Sequence, residues 1–371
     1  MKLVAGSYER YLWGWRVEKK KGQLQPVFSY PAHLAPIKCI ASWGSVLATG
    51  GADDTIKIFD TNTNTDMGTL THHTGAVTAL SFYGSAWYPS NLLSASDDGL
   101  VCLWDTNSWL LYKSMKGHRN GVSDLSIHPS GRLCLSVGRD SHLNMYDLIK
   151  GRRSFTSKLF SEASLVRFSP LNGSTYALAI EGSVVIHRSD DGRPLHTFAH
   201  EKRVLCMAQE EDVLLFTGGE DRTIRAWDTR TAELAFAVMN AHTNRVRGLC
   251  VWAVDKASET VAYKVASASS DGSVRVWDTR LIKNGDDSSP VMEAETKARL
   301  TCLVACSVKK SMVESRKDND NMDAVYASVT DDITPASTQT IRLGGETTKR
   351  DCVSGASAAH LMVLSWCTSI R

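Results

Sequence analysis

Five histidines, His33, His73, His118, His200 and His242, each stand 16 to 25 residues ahead of a Ser or Thr hydroxyl. Four residues past each hydroxyl comes an Asp, and six residues past the Asp an aromatic side chain. By residue type alone, each set could be a hydrolytic triad, with the Asp orienting a basic imidazole and the hydroxyl as nucleophile. The repetition argues for another role. A nucleophile is needed once, at a cleft, whereas a structural lock is needed in every copy of a repeat. In a lock, the imidazole bridges acid and hydroxyl, and the hydroxyl accepts the indole N–H, so that buried polar groups satisfy one another. The sets are His73/Ser94/Asp98/Trp104, His118/Ser136/Asp140/Tyr146, His200/Thr217/Asp221/Trp227 and His242/Ser267/Asp271/Trp277, with a further set at His33/Thr49/Asp53/Phe59. No P-loop, HExxH, GxSxG or kinase signature accompanies them.

The elements that must carry these sets follow from their period. Strand-ending aromatics at Trp15, Phe59, Trp104, Tyr146, Trp227 and Trp277, with His187 in the double gap, are spaced by 44, 45, 42, 41, 40 and 50 residues. A period near 40–45 with a Trp-Asp ending is the signature of the WD40 β-propeller, with four strands to a blade. Seven endings predict an all-β, seven-bladed propeller over residues 1–310. The first unit lacks its innermost strand. An open edge invites aggregation, so "ARLTCLVACS" (298–307), which parallels "APIKCIASWGS" (35–45), is expected to supply that strand through about 300–307 and pair with residues 3–7. The fifth unit has Glu162, Ala177, Glu181 and His187 at the set positions and so no lock. It is expected to be the most mobile blade or one held by a partner. Residues 311–371, rich in charge, Ser, Thr and Gly, read as an irregular, flexible tail.

Composition narrows the function classes. With 42 basic and 40 acidic residues the net charge is +2, so overall charge does not mark a nucleic-acid binder. No apolar run is long enough to span a bilayer, and nine cysteines without a CxxC pair imply no zinc site. Reduced, buried thiols in an intracellular compartment are expected. The sequence implies no cofactor, no metal and no small-molecule substrate. What remains is surface. In a propeller, the loops entering the innermost strands and the turns around each Asp share one face, the top. Arg119, Arg139, Lys202, Arg203, Arg222 and Arg245 are expected there as partner-binding candidates, able to steer RNA phosphates or acidic protein segments.

The stretches "VAGSYERYLWGW", "APIKCIASWGSVLATGGADDTIKIFD", "NLLSASDDGLVCLWDT" and "MKGHRNGVSDLSIHPSGRLCLSVGRDSHLNMYDLIKGR", together with the mid-blade start, resemble the p21-activated kinase-interacting protein 1-like (Mak11-like) family over roughly residues 1–308. The resemblance implies a non-enzymatic scaffold, nuclear and nucleolar, in large (60S) ribosomal subunit biogenesis and rRNA maturation. Its implied partners are pre-60S assembly factors and, as a further candidate, rRNA. The alternative it implies is a signalling adaptor that binds and negatively regulates a p21-activated-type kinase. Nothing demands more than a monomer within larger complexes.

Overall fold

The computed structural model describes residues 1–18, 22–84, 88–255, 262–282 and 288–306. The tail expected at 311–371 lies outside the described residues. The described chain forms seven four-stranded antiparallel sheets and, among the described residues, no helix. Blade 1 runs outward from the axis as Leu300–Cys306, Lys2–Ser7, Tyr11–Arg16 and Gln25–Pro31. Blades 2 to 7 occupy 37–71, 77–116, 122–158, 163–199, 204–238 and 246–295, each starting with its innermost strand. The innermost strands touch in one closed cycle. The fold is a seven-bladed β-propeller.

Closure falls where the sequence puts it. Leu300–Cys306 pairs antiparallel with Lys2–Ser7, setting Ala305 opposite Leu3 and Leu303 opposite Ala5. Thr301 Oγ1 then donates to the Ile37 carbonyl of blade 2 at 2.8 Å, tying the seam to the next sheet.

Residue type follows layer. The second strands Lys2–Ser7, Val46–Gly51 and Leu133–Gly138 are buried at every position, because each blade is covered on both faces by its neighbours, which calls for continuous small and apolar residues. The outermost strand Thr65–Thr71 is exposed everywhere except Leu70. The core is correspondingly split. Seven apolar clusters each fill one boundary between adjacent blades, such as Ile58, Leu70, Val77 and Trp104 between blades 2 and 3.

The turn after the acid of blades 1, 2, 3, 4, 6 and 7 takes a positive φ, at Arg10, Asp54, Gly99, Ser141, Arg222 and Gly272. Only Gly adopts that conformation without strain, and two of the six are Gly. Blade 5 departs. Ile180 pairs with Ser183 across Glu181-Gly182, a two-residue hairpin, so His187 faces Tyr176 eleven residues back. In blade 3, Trp104 faces Leu92, twelve residues back. The acid assigned by spacing to the fifth unit, Glu181, is therefore the turn itself and accepts from Ser161 Oγ at 3.0 Å.

Candidate functional site: the blade locks and the top face

Each His lies in the loop entering an innermost strand and each Asp in the turn between the second and third strands, which brings both to the same end of the blade. In blade 3, His73 Nδ1 is 2.8 Å from Asp98 and Nε2 is 2.8 Å from Ser94 Oγ. Trp104 Nε1 donates to the same hydroxyl at 2.9 Å. Because a carboxylate can only accept, Nδ1 carries the proton and Nε2 accepts from Ser94. His118 repeats this with Asp140 at 2.9 Å and Ser136 at 2.7 Å, but Tyr146 stands farther off, 3.5 Å from Ser136 Oγ. His33 sits 3.0 Å from Asp53 and 2.8 Å from Thr49.

The other two sets are altered. In blade 7, His242 Nε2 is 2.7 Å from Ser267, which takes the Trp277 indole N–H at 3.0 Å. Its Nδ1, however, reaches Ser273 Oγ at 2.8 Å, with Asp271 at 3.6 Å, and Ser273 passes the contact on to Asp271. In blade 6 the expected lock is broken. Trp227 still donates to Thr217 at 3.0 Å, but His200 Nδ1 faces Arg225 Nη1 at 3.0 Å, and Arg225 is hydrogen-bonded to Asp221. His200 Nε2 is buried without a partner. The cause lies across the strand. Arg275 of blade 7, at the matching position, is opposite Glu293 and binds it at 2.8 Å. Arg225 is opposite Ala237, so it turns inward and takes the Asp221 carboxylate from His200.

Charge states follow. Burial holds His33 and His118 below the usual imidazole range, against the pull of Asp53 and Asp140. Burial raises the Asp98 carboxyl, but the Leu100 N–H, His73 and the Thr74 N–H outweigh it and hold it below the ordinary range. Burial, reinforced by the Arg225 charge, lowers His200 to about 4. The unfolded chain, with His near 6.5, therefore binds more protons than the fold between about pH 6.5 and 4. This contribution is fully present above about pH 6.5 and is lost as pH falls toward 4. Thermal melts should drop across that window. Ala237→Glu, by drawing Arg225 outward, should shrink the drop. An unchanged pH profile in that variant would contradict the account of Arg225.

Thr49, Ser94, Ser136, Thr217 and Ser267 are all 0% exposed. None of these hydroxyls faces a cleft where a substrate could meet it. Ser94, Ser136 and Ser267 are each shared between an imidazole and a polar atom of an aromatic side chain, Thr49 between an imidazole and the Lys57 carbonyl, and Thr217 between the Trp227 indole and the Arg225 carbonyl, a role in cohesion. Replacing Ser94 or Ser267 by Ala strands both an imidazole and an indole, at a cost of about 1–3 kcal/mol. Thr217→Ala strands only an indole and should cost less, which chemical denaturation of the three variants will read.

Blade 5 is fastened sideways instead. Buried Asp124 of blade 4 accepts the Val166 N–H at 3.0 Å and binds Arg167. Ser126 Oγ accepts the Phe168 N–H at 2.9 Å. Asp124 stands where the inner strands of blades 2, 6 and 1 carry Cys39, Cys206 and Cys302. Burial pushes its carboxyl up while Arg167 and the Val166 N–H pull it down. Among the described residues, no group of three His, Cys, Asp or Glu side chains is placed to hold a metal ion.

The six basic candidates all lie in top-face loops or turns and all are exposed, but they divide. Arg139 is taken by Asp97 of the preceding blade at 3.0 Å. Arg203 and Arg245 flank the boundary of blades 6 and 7, close enough to Arg247 for both charges to bear on it, with Glu220 beside them. Arg119 and Arg222 sit in separate loops, while Lys202 shares the loop of Arg203 and lines with it an open pocket that also holds Glu162, Glu181 and Glu201. Sequence reading missed Arg247, half-buried on the innermost strand of blade 7. Its signal would have been a cation inside a run otherwise fit to be a strand.

This repeated geometry defines a WD40 propeller, and the family "WD domain, G-beta repeat" matches residues 24–60, 64–105, 109–147, 192–228 and 235–278. The match leaves out residues 148–191, most of blade 5, which has no histidine lock. Within that class, the chain belongs to the p21-activated protein kinase-interacting protein 1-like (Mak11-like) family. It is 32% identical to "p21-activated protein kinase-interacting protein 1-like" of Danio rerio, over 93% of this chain and 91% of the relative. It is 34% identical to the Homo sapiens protein "p21-activated protein kinase-interacting protein 1", over 82% and 76%. "Protein MAK11" of Saccharomyces cerevisiae is 25% identical over 87% of each chain.

Proposed function

We propose that this propeller is a non-enzymatic scaffold in large-subunit (60S) ribosome biogenesis and rRNA maturation, working in the nucleolus. It holds pre-60S assembly factors on its top face without making or breaking covalent bonds. The observation that carries the scaffold reading is the pairing of closed, fully buried Ser/Thr hydroxyls with an open top face on which Arg203 and Arg245 have no ion-pair partner among the described residues. The likeness to Mak11 over 87% of each chain supports the choice of process. A second reading, an adaptor that binds and restrains a p21-activated-type kinase, is favoured by the names of the vertebrate relatives.

Affinity purification of the tagged full chain from its own cells separates the two. Precursor large-subunit rRNA with its assembly factors supports the scaffold; a kinase complex without pre-ribosomes supports the adaptor. Charge reversal at Arg203, Arg222 and Arg245 should reduce partner recovery with the melting temperature nearly unchanged, since all three are exposed. Undiminished recovery would remove this face from the proposal.

A further inference from the structure

The first turn of every innermost strand carries a bulge, and the seven bulged residues are Lys38, Thr78, Ser123, Ser164, Leu205, Arg247 and Thr301. A bulged residue leaves the ladder and is re-aimed. Here the bulges recur at one height on the strands that surround the axis, so they encircle the top mouth of the central channel. The ring holds two cations, four hydroxyls and one Leu, and no carboxylate. Its hydroxyls are largely committed: Thr78 Oγ1 donates to the Val122 carbonyl at 2.7 Å and Thr301 Oγ1 to Ile37. Arg247 is not. Among the described residues its guanidinium has no ion pair or side-chain hydrogen bond, and the same holds for Arg203 and Arg245 beside it.

Half-buried Arg247 loses hydration, and the neighbouring Arg245 and Arg203 add like charge, all of which depress its pKa. Arg245 and Arg247 have one carboxylate near them, Glu220, whereas Arg203 also lines an open pocket with Glu162, Glu181, Glu201 and Lys202; among the described residues all three guanidinium groups still lack an ion pair that an anion would supply. A phosphomonoester, at about −1.5 to −2, is an anion of that kind. Guanidinium forks suit phosphoryl oxygens in a way that ammonium groups do not. No aromatic ring belongs to the cluster, whereas single-stranded RNA sites combine cations with stacking platforms. Glu220 would also repel a continuous phosphate backbone.

We propose that the channel mouth at the boundary of blades 6 and 7 binds a phosphorylated Ser or Thr on an extended protein segment, with Arg203, Arg245 and Arg247 closing on its phosphoryl oxygens. This rests on the reading of the top face as a partner surface and names the chemistry recognised there.

The test is fluorescence anisotropy of the full chain against three probes: a degenerate peptide pool with fixed phosphothreonine, the same pool with unmodified threonine, and an oligouridine strand. The phosphorylated pool should bind at least about tenfold more tightly than the unmodified pool. Arg247→Ala should lose that difference, and Arg247→Lys should not restore it. Arg203→Ala/Arg245→Ala, both at exposed positions, should weaken binding with melting unchanged, so the outcome does not depend on the Arg247 variants folding. Equal binding of both pools, preference for oligouridine, or no binding of the phosphorylated pool would each overturn the proposal. If the Arg203→Ala/Arg245→Ala protein still recovers pre-60S factors from cells, the phosphoryl site fails and the scaffold reading stands.

Discussion

A chain ending at residue 297 will lose its ring and aggregate, whereas a chain ending at residue 312 will give a monodisperse, cooperatively melting protein. The shorter chain lacks all of Leu300–Cys306, and Lys2–Ser7, buried at every position, becomes an open edge. Its backbone groups, paired in the ring from Lys2 with Cys306 to Ser7 with Leu300, would be left without partners in an apolar surround. The loss is compounded on two sides, because Leu300 and Leu303 also fill the boundary with blade 7, and Cys306 the boundary with blade 2. Size-exclusion chromatography and thermal melting of the two chains decide it. Matching profiles would mean that this seam does not hold the ring.

Asp124→Ala is expected to destabilise the propeller by about 2–4 kcal/mol, more than the loss of any one hydroxyl from a blade lock. Asp124 is only 4% exposed, and its removal leaves the Val166 N–H without an acceptor in a dry boundary between blades. Asp124→Asn keeps an acceptor and should cost less. Asp124→Leu combined with Arg167→Leu should recover only part of the loss, since it removes the unpaired Arg167 charge but still leaves the Val166 N–H without an acceptor. A denaturation midpoint for Asp124→Ala within experimental scatter of the parent would show that blade 5 is secured elsewhere. Because that blade has no histidine lock, the effect should exceed that of Ser94→Ala in blade 3.

The blades were legible in the sequence because a propeller repeats its register. Each strand ending, hydroxyl and acid reappears at one spacing, and the closing strand could be matched to its counterpart at 35–45 by the same rhythm. What was not legible depends on partners distant in the chain. Arg225 and Arg275 occupy matching positions, and the cross-strand residue, Ala237 in one case and Glu293 in the other, distinguishes the Arg that takes the Asp of its lock from the one held by a carboxylate across the strand. Asp124 meets Val166 from 42 residues away, a relation that no local pattern encodes. The one-residue shortening of the blade 5 turn displaced Glu181 from the role that spacing assigned to it. Arg247 escaped notice because strand alternation does not show the bulge between Val246 and Gly248 that takes it out of the ladder.

Joining the first described strand to the last also sets a schedule for biosynthesis. Six blades can pair internally as they emerge, but blade 1 cannot be completed until residue 306 has been made. At about 5–20 residues per second, the segment Lys2–Ser7 waits roughly 15–60 s for its partner. Throughout that interval it presents a largely apolar strand edge, and contacts so distant in sequence form slowly even afterwards. The nascent chain therefore has a defined period of exposure in which a chaperone that shields Lys2–Ser7 would raise the yield of closed rings.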